Sequence, residues 1–368
     1  MNVLYYISGH GYGHATRSSE ILRALVAAQP DWAVHVRSNV PPHLLAGIDR
    51  VEYHLCPESL DPGVVEEADS LGVDVPATLE TIERYYRRRD DIVAAEVKWI
   101  SQQNRAAGSK ISLVVADFPP MAGAVAAACN LPCIGVGNFT WDWIYEPLVD
   151  APRRGLLDWL RADYARMDCW LRLPFSHAEN EHLFRRVVDA PLVARRPRRP
   201  PADVLRKLGI AASDVRPRIV LGMRGRIAPE ARAAAAEANP DWLFLHFEGA
   251  NASSRRNELP VTLSADLLFT DVLNVCDVVV SKFGYGMLSE CIATRKRLLC
   301  PPRRQFREDE IFDREVGRHL RVAPISHVDF SAGRWSEGIG WLLQRPPLDP
   351  DLATDGAEVC AREIARAV

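Results

Sequence analysis

The sequence contains no run of the roughly 18 apolar residues that a membrane-crossing helix needs, so it offers no candidate transmembrane span. It has no C-x-x-C pair and no Cys/His spacing of a zinc site. Its 8 cysteines are scattered and read as small buried hydrophobes in a reducing compartment. It lacks a charge excess: the formal net charge of −3 argues against a general nucleic-acid binder. No basic n-region or cleavage site opens the chain, so a cytoplasmic location is expected. Low-complexity segments and short-period repeats are also missing. What is present is ordinary for a globular protein: 368 residues, 48% hydrophobic and 25% charged, a length that suits two domains. Arginine greatly outnumbers lysine, which hints at a GC-rich bacterial genome.

Strand-like apolar runs alternate with helical patterns throughout, the signature of parallel βα units. In the first half the clear strands are Val3–Ile7, Ala33–Arg37, Ile111–Ala116 and Cys133–Val136; in the second, Arg218–Leu221, Leu243–Phe247, Val278–Ser281 and Leu298–Cys300. Between them the segment 191–201, rich in Pro and Arg, reads as a stiff, solvated linker. The expected organisation is an α/β fold with two Rossmann-like, doubly wound domains facing a cleft. Residues 1–190 form one domain and 202–350 the other, and 351–368 form a C-terminal helix. The charge run Glu83–Asp91 reads as a solvated helix face.

The first strand ends in Gly9-His10-Gly11-Tyr12-Gly13-His14-Ala15-Thr16-Arg17 and runs straight into a helix. Glycines permit a tight turn and close ligand approach, and a helix start presents free N–H groups to the same place. Ligands bind at such carboxyl ends in open α/β sheets. His10 and His14 are therefore candidates for chemistry, against the alternative that they cap or pack the turn. A dinucleotide site is disfavoured: the spacing is G-x-G-x-G, and the second strand ends in Arg37-Ser38-Asn39 rather than an acid.

A second glycine turn, Ser281-Lys282-Phe283-Gly284-Tyr285-Gly286-Met287, follows the strand at 278. Its backbone amides can cradle a diphosphate, Lys282 adds a charge, and Glu290 lies one helical turn on, placed either for ribose hydroxyls or for solvent. Arg224 and Arg226 follow the first strand of this half and can neutralise a diphosphate. Glu308 and Asp309 follow the strand at 298, as sugar ligands or as a charged surface loop. Trp141 and Trp143 read as a loop that either stacks on an acceptor or packs the core. The apolar spacing of Leu156, Leu157, Trp159, Leu160, Tyr164, Met167 and Trp170 suggests one helix, able to touch a membrane but more simply core.

These motifs resemble those of GT-B glycosyltransferases, in the branch of the UDP-glycosyltransferases and of the enzyme that adds N-acetylglucosamine to the peptidoglycan lipid precursor. In particular the chain resembles the glycosyltransferase-like N-terminal region of plant L-arabinokinases. The two glycine turns, the segment Asn138–Tyr145, Asp61 and Gly63 carry the likeness, which spans nearly the whole chain. It implies that His14 is a general base oriented by Asp117, with His10 as the alternate base. It further implies that Gly284, Tyr285 and Gly286 hold the diphosphate of a nucleotide sugar, Glu290 its ribose, and Glu308 and Asp309 the donor sugar. Gly11, Gly13, Trp141, Asp142 and Trp143 would face the acceptor. Asp117 before Pro119-Pro120 can equally be a turn acid. Neither metal nor cofactor is implied beyond the nucleotide-diphosphate sugar co-substrate, UDP-linked in such a family. Asp349-Pro350-Asp351 reads as a helix start. The acidic pair Glu308-Asp309 departs from the Asp-Gln or Gln-Gln common in relatives, and no kinase glycine loop is present. The activity implied is inverting transfer to a hydroxyl acceptor. A nucleotide-sugar hydrolase and a non-catalytic sugar-nucleotide module partnering a sugar kinase are the alternatives.

Overall fold

A computed structural model of the chain describes residues 1–106, 110–223, 226–247 and 255–367. Thirteen strands are assigned among them: β1 Asn2–Ile7, β2 Ala33–Ser38, β3 Val51–Leu55, β4 Ile111–Asp117, β5 Cys133–Gly137, β6 Cys169–Arg172, β7 Arg186–Asp189, β8 Arg218–Leu221, β9 Leu243–His246, β10 Glu258–Pro260, β11 Val278–Val280, β12 Arg297–Cys300 and β13 Arg321–Pro324. They form two sheets, a seven-stranded one in the order β3-β2-β1-β4-β5-β6-β7 and a six-stranded one in the order β10-β9-β8-β11-β12-β13. Every pairing between these strands is parallel.

The central strands explain themselves. β1, β5 and β11 are buried at every position, as expected for strands covered by helices on both faces. Edge strand β3 has only half-buried and exposed positions. In each sheet the order reverses at the centre, where β1 lies beside β4 and β8 beside β11. The crevice outside that switch point is where such sheets bind ligands. β1 feeds the helix α1 (Gly11–Ala28), and β11 feeds the helix Tyr285–Ala293. Both glycine turns therefore stand at switch points.

Helices α2 (Val75–Ala106), α3 (Met121–Ala128), α4 (Trp141–Tyr145) and α5 (Gly155–Tyr164) complete the first half. Four expectations are corrected here. Trp141 and Trp143 lie on the short helix α4, not in a loop. Trp170 lies on β6, and the helix containing Trp159 ends at Tyr164; Leu157, Leu160, Tyr164 and Trp170 are all buried, so this surface is core. The linker is not solvated throughout, because Leu192, Val193 and Ala194 are buried. No helix starts at Asp349-Pro350-Asp351; the C-terminal helix is Gly356–Arg366. That helix returns to the first half and packs against α1. There the linker and the returning chain run side by side: the Leu192 N–H donates to the Ala353 carbonyl at 2.9 Å and the Gly356 N–H to the Leu192 carbonyl at 3.2 Å. No helix among the described residues is long and apolar enough to cross a membrane.

Candidate active site

Helix α1 carries the first set of site residues. His14, Arg17 and Ser18 are three and four residues apart and share one helix face. That face meets Asp117, the last residue of β4. The His14 Nδ1 lies 2.9 Å from Asp117 Oδ1. The Arg17 Nε donates to both carboxylate oxygens at 3.0 and 2.9 Å, its Nη2 to Oδ1 at 2.5 Å, and Ser18 Oγ to Oδ2 at 2.5 Å. Asp117 is fully buried. Burial alone would raise its pKa; the Arg17 charge and the His14 and Arg17 hydrogen bonds outweigh it and hold the carboxyl at about 2. An ionised carboxylate only accepts, so the His14 Nδ1 carries the proton it shares with Asp117, and in the neutral imidazole this leaves the lone pair on Nε2. The Arg17 Nη2 also lies 3.0 Å from Nδ1, because both donors converge on one oxygen.

The network crosses between the halves. Arg17 Nη1 donates to Asn138 Oδ1 at 2.9 Å, and Asn138 Nδ2 donates to Glu308 Oε1 at 2.7 Å. Arg303 then bridges Glu308 at 2.8 Å and Asp309 at 2.7 Å. Burial raises the Asp309 pKa against the pull of Arg303. Both acids are thus buried and paired within the second half, not on a surface loop. Glu290 is also buried and accepts from the linker's Arg195 Nε at 2.5 Å.

The two glycine turns meet. A methyl on Gly286 would lie 3.4 Å from the Gly13 Cα and from the Thr16 Oγ1, whereas a methyl on Gly13, Gly11 or Gly284 would meet nothing within 4 Å. The turns approach at one point and leave room beside it. Lys282 lies at the rim, its Nζ 2.5 Å from Glu66 and 2.7 Å from the Ser70 carbonyl. Arg226 is exposed, and its charge acts on Lys282; Arg224 lies outside the described residues. Tyr285 is buried; its hydroxyl accepts from the Val193 N–H at 3.2 Å, and its ring lies under Arg17 at 5.2 Å. Its side chain packs the domain junction.

His10 sits in a second pair. Its Nε2 is 3.3 Å from Asp61 Oδ1, and the other Asp61 oxygen is buried without a hydrogen-bond partner. Burial raises the Asp61 pKa, but the His10 hydrogen bond and charge lead the effects that bring it below its ordinary value. Gly63, at φ +60, leaves room for this imidazole: a Cβ there would lie 1.5 Å from Nε2. Trp141 stands between the two histidines, with ring centroids 5.5 Å from His10 and 6.3 Å from His14. It is buried, and its indole N–H has no partner. Trp143 stacks on His177 at 4.5 Å instead. Asp142 is consumed by Arg161 at 2.9 Å and Asn180 at 2.9 and 3.0 Å. Asp142 and Trp143 therefore support α4, and Trp141 alone of the three lies against the histidines.

No protein-family model matches the chain. Solved structures do. The spinosyn forosaminyltransferase SpnP is 14% identical with a TM-score of 0.62, covering 99% of this chain and 95% of that one. Arabidopsis thaliana UGT89C1 complexed with UDP-L-rhamnose is 15% identical with a TM-score of 0.59, covering 99% and 93%. The chain has the GT-B fold. Among curated sequences, this GT-B chain is 31% identical over 341 residues to L-arabinokinase of Arabidopsis thaliana, covering 90% of this chain and 31% of that protein. It therefore spans about a third of that relative's length.

Arg17, Ser18, Asn138 and Arg303 were given no role from sequence. Arg17 was within reach, since it follows His14 by three residues on a helix and must share its face. Asn138 joins the network only through the packing of the two halves, which no local pattern reveals, and Arg303 through the way the loop before Glu308 folds back.

Proposed function

We propose that this protein is a metal-independent, inverting glycosyltransferase that uses a nucleotide-diphosphate sugar, UDP-linked, and a hydroxyl acceptor. One observation carries the reading: the His14–Asp117 pair, at 2.9 Å, stands opposite the second glycine turn on a GT-B scaffold. The UDP-L-rhamnose complex of one relative supports the choice of donor class.

His14 Nε2 takes the acceptor hydroxyl's proton as that oxygen attacks the anomeric carbon. The bond from that carbon to the diphosphate oxygen breaks, and the nucleoside diphosphate leaves with the electron pair. Attack opposite the leaving group inverts the anomeric centre. Asp117 stays ionised, holds the imidazole tautomer and stabilises the imidazolium as it forms. Such base catalysis contributes about 10²–10⁴-fold. The backbone of Gly284 to Gly286, Lys282 and Arg226 face the diphosphate; Glu290, Glu308 and Asp309 take ribose and sugar hydroxyls. Gly11, Gly13 and Trp141 line the acceptor side.

A second reading is a sugar-nucleotide-binding module without turnover. It is favoured by Arg17, which engages both Asp117 oxygens and so dilutes the carboxylate's effect on His14. A donor screen separates the readings. Purified protein is mixed with UDP-, GDP- and dTDP-sugars without acceptor, and nucleotide release and thermal stability are followed together. Stabilisation by one donor with slow release, then transfer once an acceptor panel is added, supports the transferase. Rapid release that His14→Ala abolishes means a hydrolase. Tight binding with intact donor and no transfer to any acceptor means the module. No binding to any donor refutes the sugar-nucleotide reading altogether.

A further inference from the structure

A cluster outside the cleft has the geometry of a metal site. His35 on β2 pairs in register with Glu52 on edge strand β3, and His54 follows Glu52 by two residues, so Glu52 and His54 share one face of β3. The His35 Nδ1 and His54 Nε2 are 3.1 Å apart. The Glu52 Oε2 is 3.4 Å from the first and 3.6 Å from the second. A hydrogen bond accounts for the imidazole pair. The Glu52 carboxylate pairs with both imidazoles at the looser distances of an ion pair.

The three distances define a triangle whose corners are all about 2.0 Å from one common point, which is the length of Zn–N and Zn–O bonds. In a tetrahedron with such bonds, ligand atoms are separated by roughly 3.3 Å, close to each edge observed. We propose that His35 Nδ1, Glu52 Oε2 and His54 Nε2 bind one divalent transition-metal ion, zinc or a borderline relative, with a fourth position open to water. Two nitrogens and one oxygen suit zinc, nickel or copper rather than calcium or magnesium, which take oxygen ligands.

The surroundings fit. His35 is buried, Glu52 is 65% exposed at its side chain, so the site is anchored on one side and open to solvent on the other. His54 is braced by the Trp99 ring at 5.1 Å, and Trp99 in turn lies under the Arg37 guanidinium at 4.5 Å. The ion would staple edge strand β3 to β2. β3 leads directly into the segment that carries Asp61 to His10, so the staple fixes the base of that loop. The site lies at the sheet edge, two and three strands from Asp117 on β4, and is independent of the proposed transfer step.

The test uses untagged full-length protein stripped with chelator and titrated with Co(II). The expected result is one ion per chain with the visible absorption of four-coordinate Co(II), no thiolate charge-transfer band, and displacement by Zn(II). Glu52→Gln and His54→Gln, both at accessible positions, are expected to weaken binding at least tenfold while retaining the wild-type circular dichroism. His43→Gln, an exposed histidine elsewhere, is expected to bind as wild type does. Absence of saturable one-to-one binding, thiolate bands that place the ion on cysteine, or unchanged affinity in both ligand variants would each overturn the proposal.

Discussion

Replacing His14 and replacing Asp117 should have different consequences, and the difference follows from which groups each leaves behind. In His14→Ala, Asp117 keeps its bonds from Arg17 and Ser18. One hydrogen bond to an ionised partner is lost, worth about 1.5 kcal/mol. In Asp117→Asn, the Arg17 guanidinium, 4% exposed, loses its counter-charge. Removing one partner of a buried pair costs about 3–5 kcal/mol. Catalysis should not follow stability. His14→Ala removes the base outright and should lower transfer by about 10²–10⁴-fold; Asp117→Asn should approach the same loss, and the double variant should add little, because the two residues act as a unit. The assay pairs urea denaturation with nucleotide release from whichever donor the screen selects. A His14→Ala protein with wild-type turnover, or an Asp117→Asn protein as stable as His14→Ala, would refute the reasoning.

Acid should weaken the fold through Asp117. Its pKa falls from an ordinary 3.8 to about 2 on folding, so its contribution is fully present above about pH 4 and is lost as pH drops towards 2; urea midpoints across that range should show a steeper decline in wild type than in Asp117→Asn. Gly286→Ala should fold normally, because its methyl reaches ordinary contact at 3.4 Å. Gly286→Val adds two methyls to that gap, and should cost about 1–3 kcal/mol and weaken donor binding measured by calorimetry. Asn138→Leu leaves the Arg17 Nη1 and Glu308 Oε1 without the groups that join them; an expected loss of about 1–3 kcal/mol should appear in urea unfolding, with a larger radius of gyration in solution scattering as the halves part.

Legibility in the sequence tracked burial. β1, β4, β5 and β11 are continuous apolar runs and were found within a residue or two, because strands covered on both faces must be apolar throughout. β3, β7, β10 and β13 are not legible, since their half-buried and exposed positions leave no run to read. Trp170 was drawn onto a helix because its spacing from Trp159 fits either element; only pairing with β5 and β7 decides for a strand. The glycine turns and His14 are legible because a strand's carboxyl end has a sequence signature; Asp117 is legible only through the family resemblance. Glu290, Glu308 and Asp309 were found as acids, but their arginine partners were not, since Arg195 is distant in sequence from Glu290 and the bridging role of Arg303 depends on how its loop folds back. The cluster at His35, Glu52 and His54 was invisible for the same reason: strand register brings it together, not spacing.

The return of the helix Gly356–Arg366 to pack on α1 has a consequence for synthesis. α1 carries His14, Arg17 and Ser18, and one of its neighbours is made more than three hundred residues after it. The first half can assemble its strands early, since domains generally fold as units during translation. Its first helix must nonetheless wait, partly uncovered, until more than three hundred further residues have been added. Nascent chains halted before residue 356 would therefore hold the helix of the proposed base without this cover, and the proposed site would be completed only once a segment more than three hundred residues downstream has returned to it.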